Sequence, residues 1–146
     1  MNVLFDINHP AHVHFFKYFI GYLKKNHNVT IVSRDKDIVL NLLDLYGFKH
    51  TVVSKIRKSK LGLAYELIEH QMRLFKILRM QKIDLIFSIG GTFNVHIARL
   101  LGIRSVVFTD SEFARFTNRI TFPFAYRICV PTCYFGTLDK FKNKVR

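Results

Sequence analysis

Short runs of β-branched and aliphatic residues alternate along the chain with longer stretches whose apolar positions recur every three to four residues. This alternation predicts strands and helices in β-α-β order. Val3–Ile7 reads as a first strand that ends at Asn8-His9-Pro10. From Ala11 to about Lys25, Val13, Phe16, Ile20 and Leu23 fall on one helical face. Val29–Ser33 is a second strand, and Asp35 has the character of an N-cap for a helix to about Tyr46 that Gly47 closes. Thr51–Val53 is a short third strand. A basic loop, Lys55–Lys60, leads into a long amphipathic helix from about Leu63 to Gln81, with Leu67, Ile68, Leu74, Phe75 and Leu78 as its apolar face. Leu85–Ile89 is continuously apolar, as a buried parallel strand is. Gly90-Gly91-Thr92 opens a helix to about Leu101, and Ser105–Thr109 is a fifth strand. Phe113–Phe124 is irregular or partly helical, and Arg127–Val130 is a candidate sixth strand.

This order implies an α/β fold: a Rossmann-like, doubly wound parallel sheet of about six strands in a three-layer α/β/α arrangement with right-handed crossovers. Ligands of such sheets bind beyond the carboxyl ends of the strands, where strand order reverses. In the usual order 3-2-1-4-5, strands one and four meet there. Three segments then converge: Asp6–His12, Gly90–Asn94 and Asp110–Glu112.

Composition narrows the picture. The 146 residues suit a single domain, and 49% apolar content is ample for a core. Fifteen Phe and no Trp are unusual but indicate no particular function. Cys129 and Cys133 lack the second half of a zinc site and read as reduced thiols. Neither a signal peptide nor an apolar run of the ~18 residues needed to span a bilayer is present, so the expected location is cytoplasmic. The net charge of +13 favours anionic partners: nucleic acid, acidic lipid or phosphorylated substrates.

Candidate chemistry concentrates in the first loop. Pro10 stiffens a helix start, and His9 and His12 flank it with groups able to bind phosphate or sugar hydroxyls or to accept a proton. Solvated loop histidines are the bland alternative, and His14 lies on the outward helix face. The string His9, His12, His14 suggests a metal, but a tight turn seldom aims three imidazoles at one point, so no metal site is assigned. Gly90, Gly91 and Thr92 sit at a helix start suited to an anion or sugar, or simply allow a tight turn. They form no dinucleotide fingerprint or P-loop, and no cofactor is implied. Asp110 and Glu112 bracket Ser111 and either bind and activate hydroxyls or cap the next segment. His96 faces either sheet or cleft, whereas His27, His50 and His70 read as surface residues. Lys55, Arg57, Lys58 and Lys60 form a charge run that is either solvated or, with Leu61 and Leu63, a contact for an acidic membrane. Nucleic acid is an unlikely partner, because no helix-turn-helix, stacking platform or zinc module is present.

The segments DINHPAHVHFFK (6–17), SRDKD (33–37), LIFSIGG (85–91), VVFTDSE (106–112) and RICVPTCYF (127–135) resemble the domain of unknown function 354 family. That family is similar to the two-domain glycosyltransferase-B superfamily, which includes UDP-N-acetylglucosamine 2-epimerases and the transferase acting on lipid-linked muramyl-pentapeptide. The resemblance implies that residues 1–146 are an N-terminal, acceptor-side domain whose nucleotide-sugar-binding C-terminal domain is missing here. It places Asn8, His9 and His12, Gly90–Thr92 and Asp110–Glu112 on one wall of the interdomain cleft. The non-hydrolysing epimerases carry an Asp after the Gly of the loop matching Gly90-Gly91-Thr92. Here both positions are Gly, which disfavours epimerase chemistry.

The expected function is therefore transfer of a sugar from a nucleotide sugar to an anionic or lipid-linked acceptor. His9 or His12 would be the base, Gly91 and Thr92 would position substrate, and Asp110 or Glu112 would orient it. A non-catalytic basic module on an acidic membrane or polymer, peripheral on the inner face of the cell membrane, is the alternative. An epimerase-like enzyme is the third.

Overall fold

The computed structural model describes residues 1–109, 111–135 and 138–146; Asp110, expected at the site, lies outside them. The elements are β1 (Asn2–Ile7), α1 (Pro10–Leu23), β2 (Asn28–Asp35), α2 (Val39–Leu45), β3 (Thr51–Lys55) and α3 (Lys60–Met80). They continue with β4 (Leu85–Ile89), α4 (Val95–Leu100), β5 (Arg104–Phe108), α5 (Arg115–Thr121) and β6 (Arg127–Cys129). All strand pairs are parallel, in the order β3-β2-β1-β4-β5-β6. The reversal falls between β1 and β4, as the sequence pattern implies.

Strand alternation sorts the core into two layers. Val3, Phe5 and Ile7 of β1 pack with Val13, Phe16 and Ile20 of α1 and Val39 and Leu43 of α2. Leu4 points the other way, onto Leu74 and Leu78 of α3 and Ala98 of α4. Several phenylalanines build the first layer: Phe5 lies 5.2 Å from Phe16 and from Phe87, and Phe19 lies 5.1 Å from Phe87, centroid to centroid. The tail runs beside β6, where the Ile128 N–H donates to the Lys144 carbonyl and the Arg146 N–H to that of Ile128, both at 2.9 Å.

Three sequence expectations change. Asp35 does not cap α2. It ends β2 opposite Lys55, and the chain turns through Asp37 at φ 51° before the helix begins at Val39. Gly90–Thr92 is not the first turn of a helix: Gly90 and Gly91 have φ of +75° and +70°, outside helical space, and α4 starts at Val95. The basic loop is also shorter than expected, because Lys55 belongs to β3 and Lys60 to α3.

The largest correction concerns α3. Its buried stripe is Glu66, His70, Leu74 and Leu78, whereas Ile68, expected in the core, is 59% exposed. His70, expected at the surface, is fully buried, and His50 is mostly covered and held at 3.1 Å by the Phe48 carbonyl. The first turns of α3 thus face the sheet with polar side chains. The reason lies on β1: Asp6 shares the strand face of Leu4 and places a carboxylate beneath the helix.

Candidate functional site

Asp6 is fully buried near the carboxyl end of β1, at the topological switch point. Asn8 Nδ2 donates to its Oδ1 at 2.9 Å, and Asn94 Nδ2 donates to its Oδ2 at 2.6 Å. One carboxylate therefore ties the loop after β1 to the loop after β4. His70 Nε2 lies 3.3 Å from Oδ1, an ion-pair distance, although its N–H lies off a hydrogen-bond line. Burial alone would raise the Asp6 carboxyl, but the His70 charge beside it and the bonds from Asn94 and Asn8 outweigh it and hold the group below the usual carboxylate range.

The network continues along the α3 face of the sheet. His70 Nδ1 is 2.9 Å from Ser54 Oγ on β3, and Ser54 Oγ donates to Glu66 at 3.4 Å. Glu66 receives both the Nε–H and, at 2.9 Å, the Nη2–H of Arg34 at the end of β2, together with the Arg57 backbone N–H at 3.2 Å. Burial would raise Glu66 too. Arg34 overrides it, and the Glu66 carboxyl lies below its ordinary value. Phe93 closes the assembly, 4.6 Å from the His70 ring and 5.4 Å beneath the Arg34 guanidinium. A polar chain thus runs from the first loop to the basic loop across the ends of three strands. Asp6, Asn8 and Asn94 belong to segments expected to converge, whereas Arg34, Ser54, Glu66, His70 and Phe93 carry no expectation of a site from the sequence. A charge inside the run Val3–Ile7 and a Glu-His pair four apart on α3 were the available signals.

The predicted loop residues have definite local roles. His9 is the N-cap of α1, its Nδ1 accepting the Ala11 N–H at 3.2 Å just ahead of Pro10. His12 Nδ1 accepts the Asn8 N–H at 3.3 Å. Each neutral ring therefore carries its proton on Nε2. His14 is exposed, edge-on to Tyr46 at 6.1 Å. Gly91 is buried where a Cβ would come within 2.8 Å of both Val107 and Val95, so the residue serves close packing as well as the turn. Thr92 is half-buried between this turn and Asn94. Beyond β5, the Ser111 carbonyl accepts from Asn118 at 3.3 Å and Glu112 Oε1 accepts the Phe135 N–H at 3.2 Å. His96 faces the Ile120 carbonyl at 3.0 Å, its ring tilted against Phe124, and not the cleft. Among the described residues, no cluster of three His, Cys, Asp or Glu side chains could hold a metal.

Beside these loops lies a cavity of about 350 Å³, lined by Phe15, Ile89, Phe108, Thr109, Val130 and Pro131 together with Cys129. Its walls lead directly into the site: Phe15 is one turn beyond His12, and Ile89 precedes Gly90. Burial pushes the Cys129 thiol up, so it is no activated nucleophile. The basic residues stand apart. Lys55 lies 3.5 Å from Asp35, the Arg57 guanidinium covers the Tyr65 ring at 4.5 Å, and Lys58 and Lys60 are exposed. No helix among the described residues is long and apolar enough to cross a membrane.

Solved structures share this fold at low sequence identity. MurG of Acinetobacter baumannii superposes with TM-score 0.71 at 15% identity over 94% of this chain and 44% of that one. The UDP-GlcNAc 2-epimerase of Neisseria meningitidis, solved with UDP-GlcNAc, gives 0.71 at 16% over 90% and 41%. The Streptomyces sp. SF2575 glycosyltransferase SsfS6, complexed with thymidine diphosphate, gives 0.58 at 12% over 75% and 38%. The chain thus spans less than half the length of each of these proteins. No curated protein sequence matches it. The fold is the Rossmann-like one of glycosyltransferase-B enzymes and their epimerase relatives, and a family match over residues 1–143 shows that the chain belongs to the family described as protein of unknown function (DUF354).

Proposed function

We propose that this domain is the acceptor side of a metal-independent glycosyltransferase that uses a nucleotide sugar and acts on an anionic or lipid-linked acceptor. The observation that carries the reading is the placement of a largely apolar cavity of about 350 Å³ between α1 and the carboxyl ends of β4, β5 and β6, the edge where doubly wound sheets bind ligands. The cavity takes the apolar part of the acceptor. Asn8, Gly90, Gly91, Thr92 and Ser111, on the loops after β1, β4 and β5, are assigned to its polar part, and Asp110 is assigned with them from the sequence alone. Because Nδ1 of His9 accepts a backbone N–H group, its neutral ring offers Nε2–H as a donor to an acceptor phosphate or a leaving diphosphate, and His12 on the same loop is assigned to substrate contact with it. The acceptor hydroxyl then gives its proton to a carboxylate, and Glu112 is the assigned base. The nucleotide-sugar contacts are assigned to a second domain of the whole protein, outside residues 1–146.

The test is transfer by the whole protein, offered sugar nucleotides with lipid-phosphate acceptors. Glu112→Gln is expected to lower kcat by 10²-fold or more, within the usual range for general base catalysis. His12→Ala is expected to lower turnover as well, while His9→Ser separates capping from chemistry, because serine also caps a helix. Full turnover in all three variants would overturn the assignment.

A second reading, a basic module on an acidic membrane, has its own observation. Leu61, Tyr65, Ile68 and Met72 form an exposed stripe along α3 at 86%, 56%, 59% and 60% exposure, beside Lys58, Lys60 and Arg57. Such a face suits the interface of an anionic bilayer. Flotation with anionic liposomes tests it: charge reversal at Lys55, Arg57, Lys58 and Lys60 should release the protein. Flotation that ignores both charge reversal and lipid charge excludes this reading.

A further inference from the structure

The opposite end of the sheet carries a second concavity of about 350 Å³. Arg104 opens β5, Arg127 opens β6, Arg99 ends the last turn of α4, and Lys144 reaches in from the tail; all four line it, with Tyr126 and Asn143. Since every strand is parallel, this is the amino-terminal edge, remote from the loops described above. Among the described residues, none of these four cations has a carboxylate within 4.0 Å; the ion pairs of the protein lie elsewhere.

Three of the four cations have a fixed partner, whereas Arg99 is exposed. Lys144 Nζ donates to the Pro123 carbonyl at 2.8 Å and to that of Phe122 at 3.4 Å. The Arg104 and Arg127 guanidinium carbons lie 5.2 and 4.5 Å from the centre of the Tyr126 ring, and Arg127 also donates to the Tyr126 carbonyl at 3.2 Å. Burial, and next the charge of Arg99, press the Lys144 ammonium below its ordinary value, so like charge accumulates here without internal compensation. Guanidinium forks match phosphate oxygens two at a time, and the volume suits a small molecule.

We infer that this pocket is an anion site for a compact ligand bearing two or more phosphate charges, a diphosphate or a phosphomonoester headgroup. It is independent of the acceptor site and requires no second domain. The probe is inorganic pyrophosphate, titrated calorimetrically into the protein at two ionic strengths. Saturable 1:1 binding is expected, tighter than for sulfate. Loss of a charged hydrogen bond typically costs roughly tenfold in affinity, so Arg104→Gln/Arg127→Gln should bind about 100-fold more weakly. Lys25→Gln/Lys49→Gln removes the same charge elsewhere and should change affinity by about twofold or less. Arg99→Gln, on an exposed side chain, gives the same answer if the double variant fails to fold. Vesicles containing phosphatidic acid separate the sources. Capture that pyrophosphate reverses identifies a lipid headgroup, and pyrophosphate binding without capture identifies a soluble diphosphate. Equal weakening by both double variants, or the lack of saturable pyrophosphate binding, would overturn the site.

Discussion

Replacing Asp6 by Asn probes the buried network at its centre. The carboxylate accepts from Asn8 and Asn94, one on each oxygen, and lies 3.3 Å from His70 Nε2 at zero exposure. An amide of the same shape presents only one acceptor, so its NH2 must face one of the two asparagine donors, and the ion pair with His70 is lost. Breaking a buried pair by removing one member typically costs about 3–5 kcal/mol. For a chain of this size that corresponds to a fall in Tm of about 6–20 °C, at roughly 2–4 °C per kcal/mol. The pH dependence sharpens the test. The folded Asp6 carboxyl lies below its ordinary value of 3.8, so its stabilisation is fully present above that pH and disappears as pH falls through the lower folded value. Asp6→Asn lacks the contribution at every pH. The difference between wild type and variant should be largest near neutrality and shrink in acid. Thermal and urea unfolding from pH 7 down to pH 2 measure it. A variant that melts within about 2 °C of wild type at pH 7, with the same acid profile, would refute the argument.

Other expectations follow from the same structure. Gly91→Ala meets two valine methyl groups at 2.8 Å as well as a left-handed backbone, so it should cost about 2–5 kcal/mol in urea unfolding, whereas Gly90→Ala, with nothing nearer than 4.0 Å, should cost about 1–2. Arg34→Met strands the Glu66 carboxylate, whose side chain is 1% exposed, and should destabilise by about 3 kcal/mol or more. Arg34→Met/Glu66→Leu should cost less than either single change, and a double-mutant cycle gives the coupling directly. Because the folded Glu66 carboxyl lies below its ordinary 4.5, its share of stability is present above that pH and lost as pH falls further; Glu66→Gln should flatten that part of the acid profile.

Much of the architecture was legible as pattern. The strand periodicity and continuous apolar runs located β1, β4 and β5 to within a residue or two, and the β-α-β order gave the sheet and its switch point. That the loops after β1 and β4 lie together at the switch point was legible too, because position beyond a parallel strand is a topological property. Boundaries set by pairing were not. Asp35 is a good cap in isolation, yet the β2–β3 ladder claims it. Gly90 and Gly91 look like a helix start, but only their positive φ and the methyl groups of Val107 and Val95 reveal why glycine is needed.

The inward face of α3 is the clearest case of tertiary control. Hydrophobic periodicity assigns Ile68 to the core and His70 to solvent, because burial of apolar area is the largest general force available to a sequence argument. A buried carboxylate changes that balance locally. Asp6 must be paired or hydrogen-bonded, and the cost of leaving it bare exceeds what one isoleucine gains by burial. The helix therefore turns Glu66 and His70 inward and leaves Leu61, Tyr65, Ile68 and Met72 outside. The sequence by itself determined the layers, the strand order and the switch point between β1 and β4, since these depend on periodicity and connection length. Only the tertiary structure decided which side chains meet there, because a charge on one strand and a histidine 64 positions later satisfy each other only once the fold has brought them to 3.3 Å.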